Sequence, residues 1–186
     1  MGPLRHERVT FRPIERSDLV RLVELLEDPE VAALAEEGPV VLASLAEWEA
    51  WFEQRAANPP KDRISFAVES EDELIGQAGL HHIDHFNQRC ELGIALGKDF
   101  WGQGLGQEAT RLLVDYAFTY LNMNRISLRV LADDARAVGA YRKAGFREEG
   151  RLRQAALVAG DFHDELVMSV LRAEYLVATR PGKVVR

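Results

Sequence analysis

The hydrophobic and polar positions follow two different periods along the chain, and together these predict a mixed α/β (α+β) fold. Short alternating or β-branched runs predict strands, whereas apolar residues three and four apart predict helices. The predicted strands span residues 9–13, 64–68, 74–80, 90–96, 126–131, 146–152 and 166–171. The predicted helices begin near Ser17, Val31, Ser44, Gln107 and Ala135. This order predicts a mostly antiparallel central sheet with flanking helices and a βαβ-like second half.

Several local signals fix the helix ends and faces. Ser17 is a candidate N-cap for the first helix, and Ser44 with Glu47 has the spacing of a capping box. Gly145 is placed to end the helix before it. The long helix after residue 107 is expected to face the core with Leu112, Leu113, Tyr116, Ala117 and Tyr120. Trp48, Trp51 and Phe52 are expected to pack in the core.

Length and charge narrow the class of protein. The 186 residues are expected to form a single domain, 1–186, with its core at about 8–175 and a flexible basic tail at 179–186. The formal net charge of −7 disfavours a nucleic-acid partner and allows a cationic substrate. No apolar run is long enough for a membrane span, and no signal peptide is visible, so a cytoplasmic location without a membrane partner is expected. The single cysteine, Cys90, is expected to be a buried apolar residue.

The most informative segment is a glycine-rich turn between a strand and the long helix. Gly102, Gly104 and Gly106 alternate with other residues just before the helical pattern starts. Glycines allow unusual backbone angles and a close approach by a ligand. Free amides at a helix N-terminus attract anions, so a diphosphate suits this turn. The spacing fits neither a Walker loop nor a dinucleotide fingerprint, and the turn alone is also compatible with a tight connection that binds nothing.

A second segment, which follows a predicted strand, makes the pattern of the turn more specific. The stretch from Asp134 to Phe146 carries Ala137, Tyr141, Gly145 and Phe146 at the spacing Ala-x-x-x-Tyr-x-x-x-Gly-Phe. With the Gln103 to Gly106 turn, it resembles the GNAT (Gcn5-related) superfamily of N-acetyltransferases. Features at both ends of the chain are similar to the branch that contains ribosomal-protein N-terminal and spermidine/spermine acetyltransferases.

The resemblance implies an acetyl-CoA-dependent enzyme that transfers acetyl directly to a primary amine in a ternary complex. The acceptor is a protein N-terminus, a polyamine or a small-molecule amine. The implied coenzyme-binding residues are Ile94, Ala95, Leu96, Trp101, Gly102, Gln103, Gly104, Leu105, Gly106, Gln107, Asp134, Ala137 and Tyr141. The alternative is a non-catalytic acyl-CoA-binding or sensing domain on the same fold. A homodimer is the default expectation for its assembly.

Two positions depart from the family pattern. Trp101 stands where the family often has Arg or Gln, so that side chain's phosphate contact is expected to be absent. Asp134 stands where the family has Asn, and a carboxylate accepts hydrogen bonds without donating them. Whether Asp134 contacts pantetheine or only caps a helix is left open by the sequence.

Acetyl transfer needs a neutral amine, an oxyanion donor and a proton or hydrogen bond for the leaving thiolate. By resemblance, Tyr141 lies near the coenzyme sulfur, and a phenol of pKa about 10 can donate to a thiolate whose acid has a pKa of about 8.5. Glu91 is the candidate base, although it could instead pair with Arg89 or another surface cation. Strand alternation places Glu91 opposite Ile94 unless a bulge intervenes.

Histidines and acidic residues complete the candidate site. His81, His82 and His85 cluster in sequence, but adjacent residues of a strand point to opposite sides, so no metal is expected. One of them could relay a proton or contact the acceptor. Acidic residues of the early helices could attract a polyamine or simply be solvated; they are Glu36, Glu37, Glu47 and Glu49.

Overall fold

In the computed structural model, residues 4–35 and 43–179 are described. The strands are β1 (Leu4–His6), β2 (Val9–Arg12), β3 (Ile64–Ser70), β4 (Glu73–Asp84), β5 (Arg89–Leu96), β6 (Arg125–Leu131), β7 (Arg147–Val158) and β8 (Asp161–Leu171). The helices are α1 (Leu19–Leu26), α2 (Pro29–Ala35), α3 (Leu45–Ala57), α4 (Leu105–Thr119), α5 (Ala135–Lys143) and α6 (Arg172–Thr179). Short 3₁₀ turns lie at Arg16–Asp18 and Lys98–Phe100.

The eight strands form one sheet in the order β1-β2-β3-β4-β5-β6-β8-β7. Every neighbouring pair is antiparallel except β5 and β6, which are parallel and joined through α4. This confirms the predicted fold class, including the βαβ-like second half. The parallel pair lies at the centre of the sheet, so the connection through α4 leads directly to the strand ends where a ligand site is expected.

Helices cover both faces of the sheet. The larger apolar cluster lies under α4, which packs on β1, β2, β4 and β5 and buries Leu113, Val114 and Ala117 fully. A second cluster joins α1 and α2 to the opposite face through Leu22, Val31 and Ala67. No helix in the described residues is both long and apolar enough to cross a membrane.

Most predicted elements are present with shifted ends. The prediction missed β1 and α6, and it ended β7 six residues early and began β8 five residues late. The missed parts of β7 and β8 form a hairpin whose residues are mostly exposed, so no alternating apolar pattern marks them. The capping box of Ser44 and Glu47 is confirmed at the start of α3. Gly145, with φ of 99°, ends α5 as predicted.

Three local expectations were wrong. Ser17 does not cap α1: Glu15 and Asp18 form a capping box around the preceding 3₁₀ turn, and Asp18 accepts two hydrogen bonds from Arg12. Tyr120 is 56% exposed because α4 ends at Thr119, so Tyr120 caps the helix and does not continue its buried face. No residue of α3 is fully buried: Trp48 packs against the second cluster, Phe52 is half-buried, and Trp51 lies outside the core with its ring 4.5 Å from the Arg55 guanidinium.

Candidate active site

The parallel strands β5 and β6 separate halfway along their length. Three residue pairs join them, Arg89 to Arg125, Cys90 to Ile126 and Glu91 to Ser127. Beyond Glu91, β5 continues to Leu96 and β6 to Leu131 without further pairing to each other. The facing edges therefore carry main-chain donors and acceptors that need a partner. Ile94, Ala95 and Leu96 lie on the β5 side of this gap, and on their other side they pair with β4.

The glycine turn presents a row of free amides at the N-terminus of α4. The backbone is left-handed at Gly102 (φ 74°) and at Gly104 (φ 85°), which caps the helix. Among residues 4–35 and 43–179, nothing accepts a hydrogen bond from the main-chain N–H groups of residues 102–106. The first helical donor is Gln107, whose N–H donates to the Gly104 carbonyl oxygen at 3.0 Å. Five free amides at a helix N-terminus form an anion-binding site.

Arg8 anchors this turn through hydrogen bonds to Glu108. Its main-chain N–H and its Nε donate to the two carboxylate oxygens of Glu108 at 3.0 and 2.9 Å, and its Nη2 also contacts that carboxylate. Glu108 lies in the first turn of α4, and its side chain is buried. A charged contact between a half-exposed Arg8 and a buried Glu108, 100 residues apart in sequence, thus fixes the turn to the start of β2.

Trp101 holds the side chain of Arg136 beside the glycine turn. Its indole Nε1 donates to the Leu96 carbonyl oxygen at 2.8 Å, which fixes the ring between the end of β5 and the turn. The guanidinium of Arg136, from α5, stacks on this ring at 3.7 Å from its centroid. A cation therefore lies beside the turn, held by a cation–π contact, and it comes from a different segment than the family pattern would suggest.

Tyr141 and Asp134 lie on α5, which borders the gap between β5 and β6. The Oδ1 of Asp134 accepts from the Ala137 N–H at 2.9 Å, so Asp134 caps α5. The Tyr141 ring packs against Phe146 with centroids 5.9 Å apart. Within the described part of the chain, its hydroxyl has no hydrogen-bond partner. Burial, helped by the negative charge of Asp134, raises the pKa of Tyr141 to about 12.

Glu91 is the last paired residue of β5 before the gap, and two histidines face it. The pairing of β4 with β5 contains a bulge between His81 and Asp84, and His82 has a φ of 50°. As a result the Nδ1 atoms of His81 and His82 are 3.3 Å apart. The Glu91 Oε2 lies 3.4 Å from the His82 Nδ1 and 3.9 Å from the His81 Nδ1.

This arrangement corrects the expectation that the adjacent histidines point to opposite sides, because the bulge turns both rings to the Glu91 side. His85 is not part of the group. Arg89, the suggested partner of Glu91, pairs instead with Asp84 at 3.4 Å.

An open cavity of about 590 Å³ lies between α2, the glycine turn and the start of α5. Its lining residues are Glu30, Leu34, Trp101, Gly102, Leu131, Asp133, Asp134, Arg136, Val158 and His163. Three carboxylates and one permanent cation thus face it, and the cation, Arg136, pairs with Asp134 at 3.3 Å. The Oδ2 of Asp133 lies 2.7 Å from the His163 Nδ1, and Glu30 forms an ion pair with Lys98.

The acidic helix residues considered from the sequence do not contribute to this cavity in the described structure. Glu47 is used in the α3 capping box, and Glu49 pairs with Arg16 at 3.4 Å. Glu36 and Glu37 lie outside the described residues.

The other predicted site residues gather around the gap with different exposures. Leu105 is 4% exposed, so only its main chain can face a ligand. Gly106 lies next to the Leu96 side chain. Cys90 is buried as expected, and burial raises the pKa of its thiol to about 12, so it stays protonated. Arg8 and Arg136 were missed because a long-range ion pair and a stacking contact leave no local sequence signal.

Comparison with known proteins agrees with this geometry. Residues 8–147 match the family model of the acetyltransferase (GNAT) domain. The chain is 34% identical to the uncharacterized N-acetyltransferase p20 of Bacillus licheniformis, over 94% of this chain and 99% of that protein. It is 30% identical to spermidine N(1)-acetyltransferase of Escherichia coli K12, over 94% and 92%.

Among solved structures, the chain resembles the spermidine N-acetyltransferase of Vibrio cholerae in complex with CoA and spermine. The TM-score is 0.83 at 27% sequence identity, covering 92% of this chain and 99% of that one.

Proposed function

The chain belongs to the GNAT family of N-acetyltransferases, and from that premise we propose that it transfers acetyl from acetyl-CoA directly to a primary amine of a polyamine of the spermidine class. The observation that carries the acceptor class is the likeness, over 92% of this chain, to a spermidine N-acetyltransferase in complex with CoA and spermine. The acidic residues Glu30 and Asp133, which line the open cavity beside the glycine turn, add support. A polyamine with several ammonium groups complements such a surface. A peptide N-terminus brings a single charge and gains less from it.

Acetyl-CoA would bind along the edge of the gap. Its diphosphate would accept hydrogen bonds from the free amides of residues 102–106, with the Arg136 guanidinium alongside. The amide-containing pantetheine arm would then pair with the open edge of β5 at Ile94, Ala95 and Leu96. Asp134 would continue to cap α5 through the Ala137 N–H. Both residues lie at the start of this helix and would border the pantetheine arm.

The reaction itself needs three groups at the point where β5 and β6 separate. Glu91 would take the proton of the attacking ammonium, directly or through water. A main-chain amide of β5 in the gap would stabilise the oxyanion. Tyr141 would donate a hydrogen bond to the leaving thiolate. With a pKa of about 12 it stays protonated while doing so.

Direct transfer within a ternary complex is supported by the state of the one cysteine. Cys90 is 1% exposed and its thiol pKa is raised, so it is not available to carry an acetyl group. A sensing domain without catalysis is not favoured, because the relatives are named as N-acetyltransferases. Cytoplasmic location, a single domain and a homodimer remain predictions.

The proposal is tested by measuring free thiol release from acetyl-CoA with spermidine, a peptide with a free N-terminus and an aminoglycoside. We expect spermidine to show the highest kcat/KM. A peptide that is acetylated more efficiently than spermidine would overturn the polyamine assignment while leaving the enzyme class intact.

A charge variant sharpens this test. Because exposed ion pairs contribute about 0.2–1 kcal/mol each, Glu30→Gln combined with Asp133→Asn should raise KM for spermidine by roughly 2- to 30-fold with little change in kcat. The matched control is Glu24→Gln, an exposed α1 carboxylate that pairs with Arg21 away from the cavity. An equal rise in KM in both variants would show that the cavity charges do not select the acceptor.

A further inference from the structure

Three potential metal ligands converge beside the gap. The separations are 3.3 Å between the Nδ1 atoms of His81 and His82, 3.4 Å from His82 to Glu91 and 3.9 Å from His81 to Glu91. Ligands about 2.0–2.1 Å from a tetrahedral ion are separated by roughly 3.3–3.4 Å. Two of the three separations have this value. The third exceeds it by about half an ångström, a difference that rotation of one imidazole ring can remove.

The backbone takes an unusual shape to bring these atoms together. His82 has a φ of 50°, in the left-handed region that residues other than glycine seldom adopt, and it lies in the bulge that interrupts the β4–β5 pairing. Such strain costs on the order of 1–3 kcal/mol and tends to be kept at functional positions. The neighbouring Gly93 leaves room for the His81 ring, whose Nε2 would be 3.5 Å from a Cβ at that position.

We propose that His81, His82 and Glu91 form a binding site for one divalent transition-metal ion, with Zn²⁺ as the expected occupant. Two imidazoles and one carboxylate are a ligand set that Zn²⁺ accepts, whereas Mg²⁺ and Ca²⁺ prefer oxygen ligands. Three protein ligands leave the fourth position for water or another molecule. The His82 side chain is 61% exposed, so the ion can enter from solvent.

A second group of possible ligands in the described residues fails the same reasoning. His6, Glu7 and Glu108 also lie close together. The Glu108 carboxylate, however, already accepts hydrogen bonds from the main chain and guanidinium of Arg8. A cation there would have to displace a charged partner, whereas Glu91 has no Arg or Lys partner in the described part of the chain.

The proposed ion would occupy the carboxylate that is also the proposed base. A bound metal ion would therefore prevent Glu91 from accepting a proton, and acetyl transfer would slow in its presence. This consequence rests on the proposed function, but the site itself does not, because it depends only on three side chains and their geometry.

The site is tested by titrating tag-free protein with Co²⁺ and recording visible absorption, since tetrahedral Co²⁺ absorbs far more strongly than hydrated Co²⁺. We expect one Co²⁺ per chain, and loss of the bands when Zn²⁺ is added. His82→Asn should weaken Co²⁺ binding by at least about tenfold, the lower end of what losing even a supporting residue costs. Asn is chosen because it tolerates a positive φ.

Two further variants keep the result clear. Glu91→Gln should weaken Co²⁺ binding in the same way, and His85→Ala, an exposed histidine outside the group, should bind like the unmodified protein. Circular dichroism confirms that each variant is folded. The absence of a tetrahedral Co²⁺ spectrum, or equal affinity in the His82→Asn variant, would overturn the site whichever amine the enzyme acetylates.

Discussion

The guanidinium of Arg8 donates to the main-chain carbonyl oxygen of Gln103 at 3.0 Å. In a planar trans peptide the carbonyl and the following N–H point in opposite directions. A carbonyl held towards Arg8 therefore directs the Gly104 N–H away from the protein, where an anion can reach it. The same guanidinium is bound to Glu108, so the orientation of the turn is tied to the first turn of α4.

We expect Arg8→Ala to weaken coenzyme A binding and lower stability. The buried Glu108 carboxylate would lose its charged partner, and an unsatisfied buried acceptor costs about 1–3 kcal/mol. The dissociation constant for coenzyme A, from calorimetry, should rise several-fold because the turn is no longer held. Arg5→Ala on β1 is the control, since Arg5 is exposed and makes no ion pair in the described structure. Unchanged affinity in a less stable Arg8→Ala protein would limit Arg8 to a structural role.

Gly106→Val should reduce coenzyme affinity without unfolding the protein. Gly106 lacks the positive φ of Gly102 and Gly104, and a Cβ there would meet only the Leu96 side chain at 3.9 Å. The rest of the valine would occupy space in front of the free amides, so we expect at least about a tenfold rise in the dissociation constant, or 1.4 kcal/mol. Gly139→Val in α5, also uncrowded, is the matched control. Normal affinity in the Gly106→Val protein would exclude the turn as the diphosphate site.

Tyr141→Phe should lower kcat by about 10²-fold, the lower end for a positioned proton donor, with coenzyme affinity nearly unchanged. The pKa of about 12 also makes a prediction about pH. Because the phenol stays protonated well above neutral pH, the ratio of the two kcat values should be the same at pH 7 and pH 9.5. A phenol titrating near 9 would lose its proton over this range, and the two rates would then converge. Convergence would therefore contradict the raised pKa, whereas equal kcat values for the two proteins at pH 7 would remove Tyr141 as the hydrogen-bond donor.

The sequence was most informative where function depends on the main chain. Alternating glycines before an apolar helix can be recognised without any structure, and the left-handed angles at Gly102 and Gly104 are what they predicted. The pattern before Gly145 similarly predicted a short helix, and Tyr141 lies on it as part of α5. These features are local, so a short stretch of residues is enough to specify them.

What the sequence did not reveal depends on contacts between distant residues or on one irregular backbone angle. Arg8 meets Glu108 across 100 residues, and Arg136 meets Trp101 only after α5 packs beside the turn. The bulge at His82 reverses one side chain, so period-two reasoning gave the wrong face for the histidine pair. Strand periodicity assumes regular pairing, and it fails where the strand edge is interrupted.

The separation of β5 from β6 leaves main-chain groups of both strands without a partner from each other. Two central strands give up pairing that the fold could have supplied, and the pantetheine arm is the proposed replacement. A ligand at about 100 times its dissociation constant adds about 2.7 kcal/mol to folding stability. We therefore expect the coenzyme-bound protein to resist unfolding and proteolysis better than the free protein.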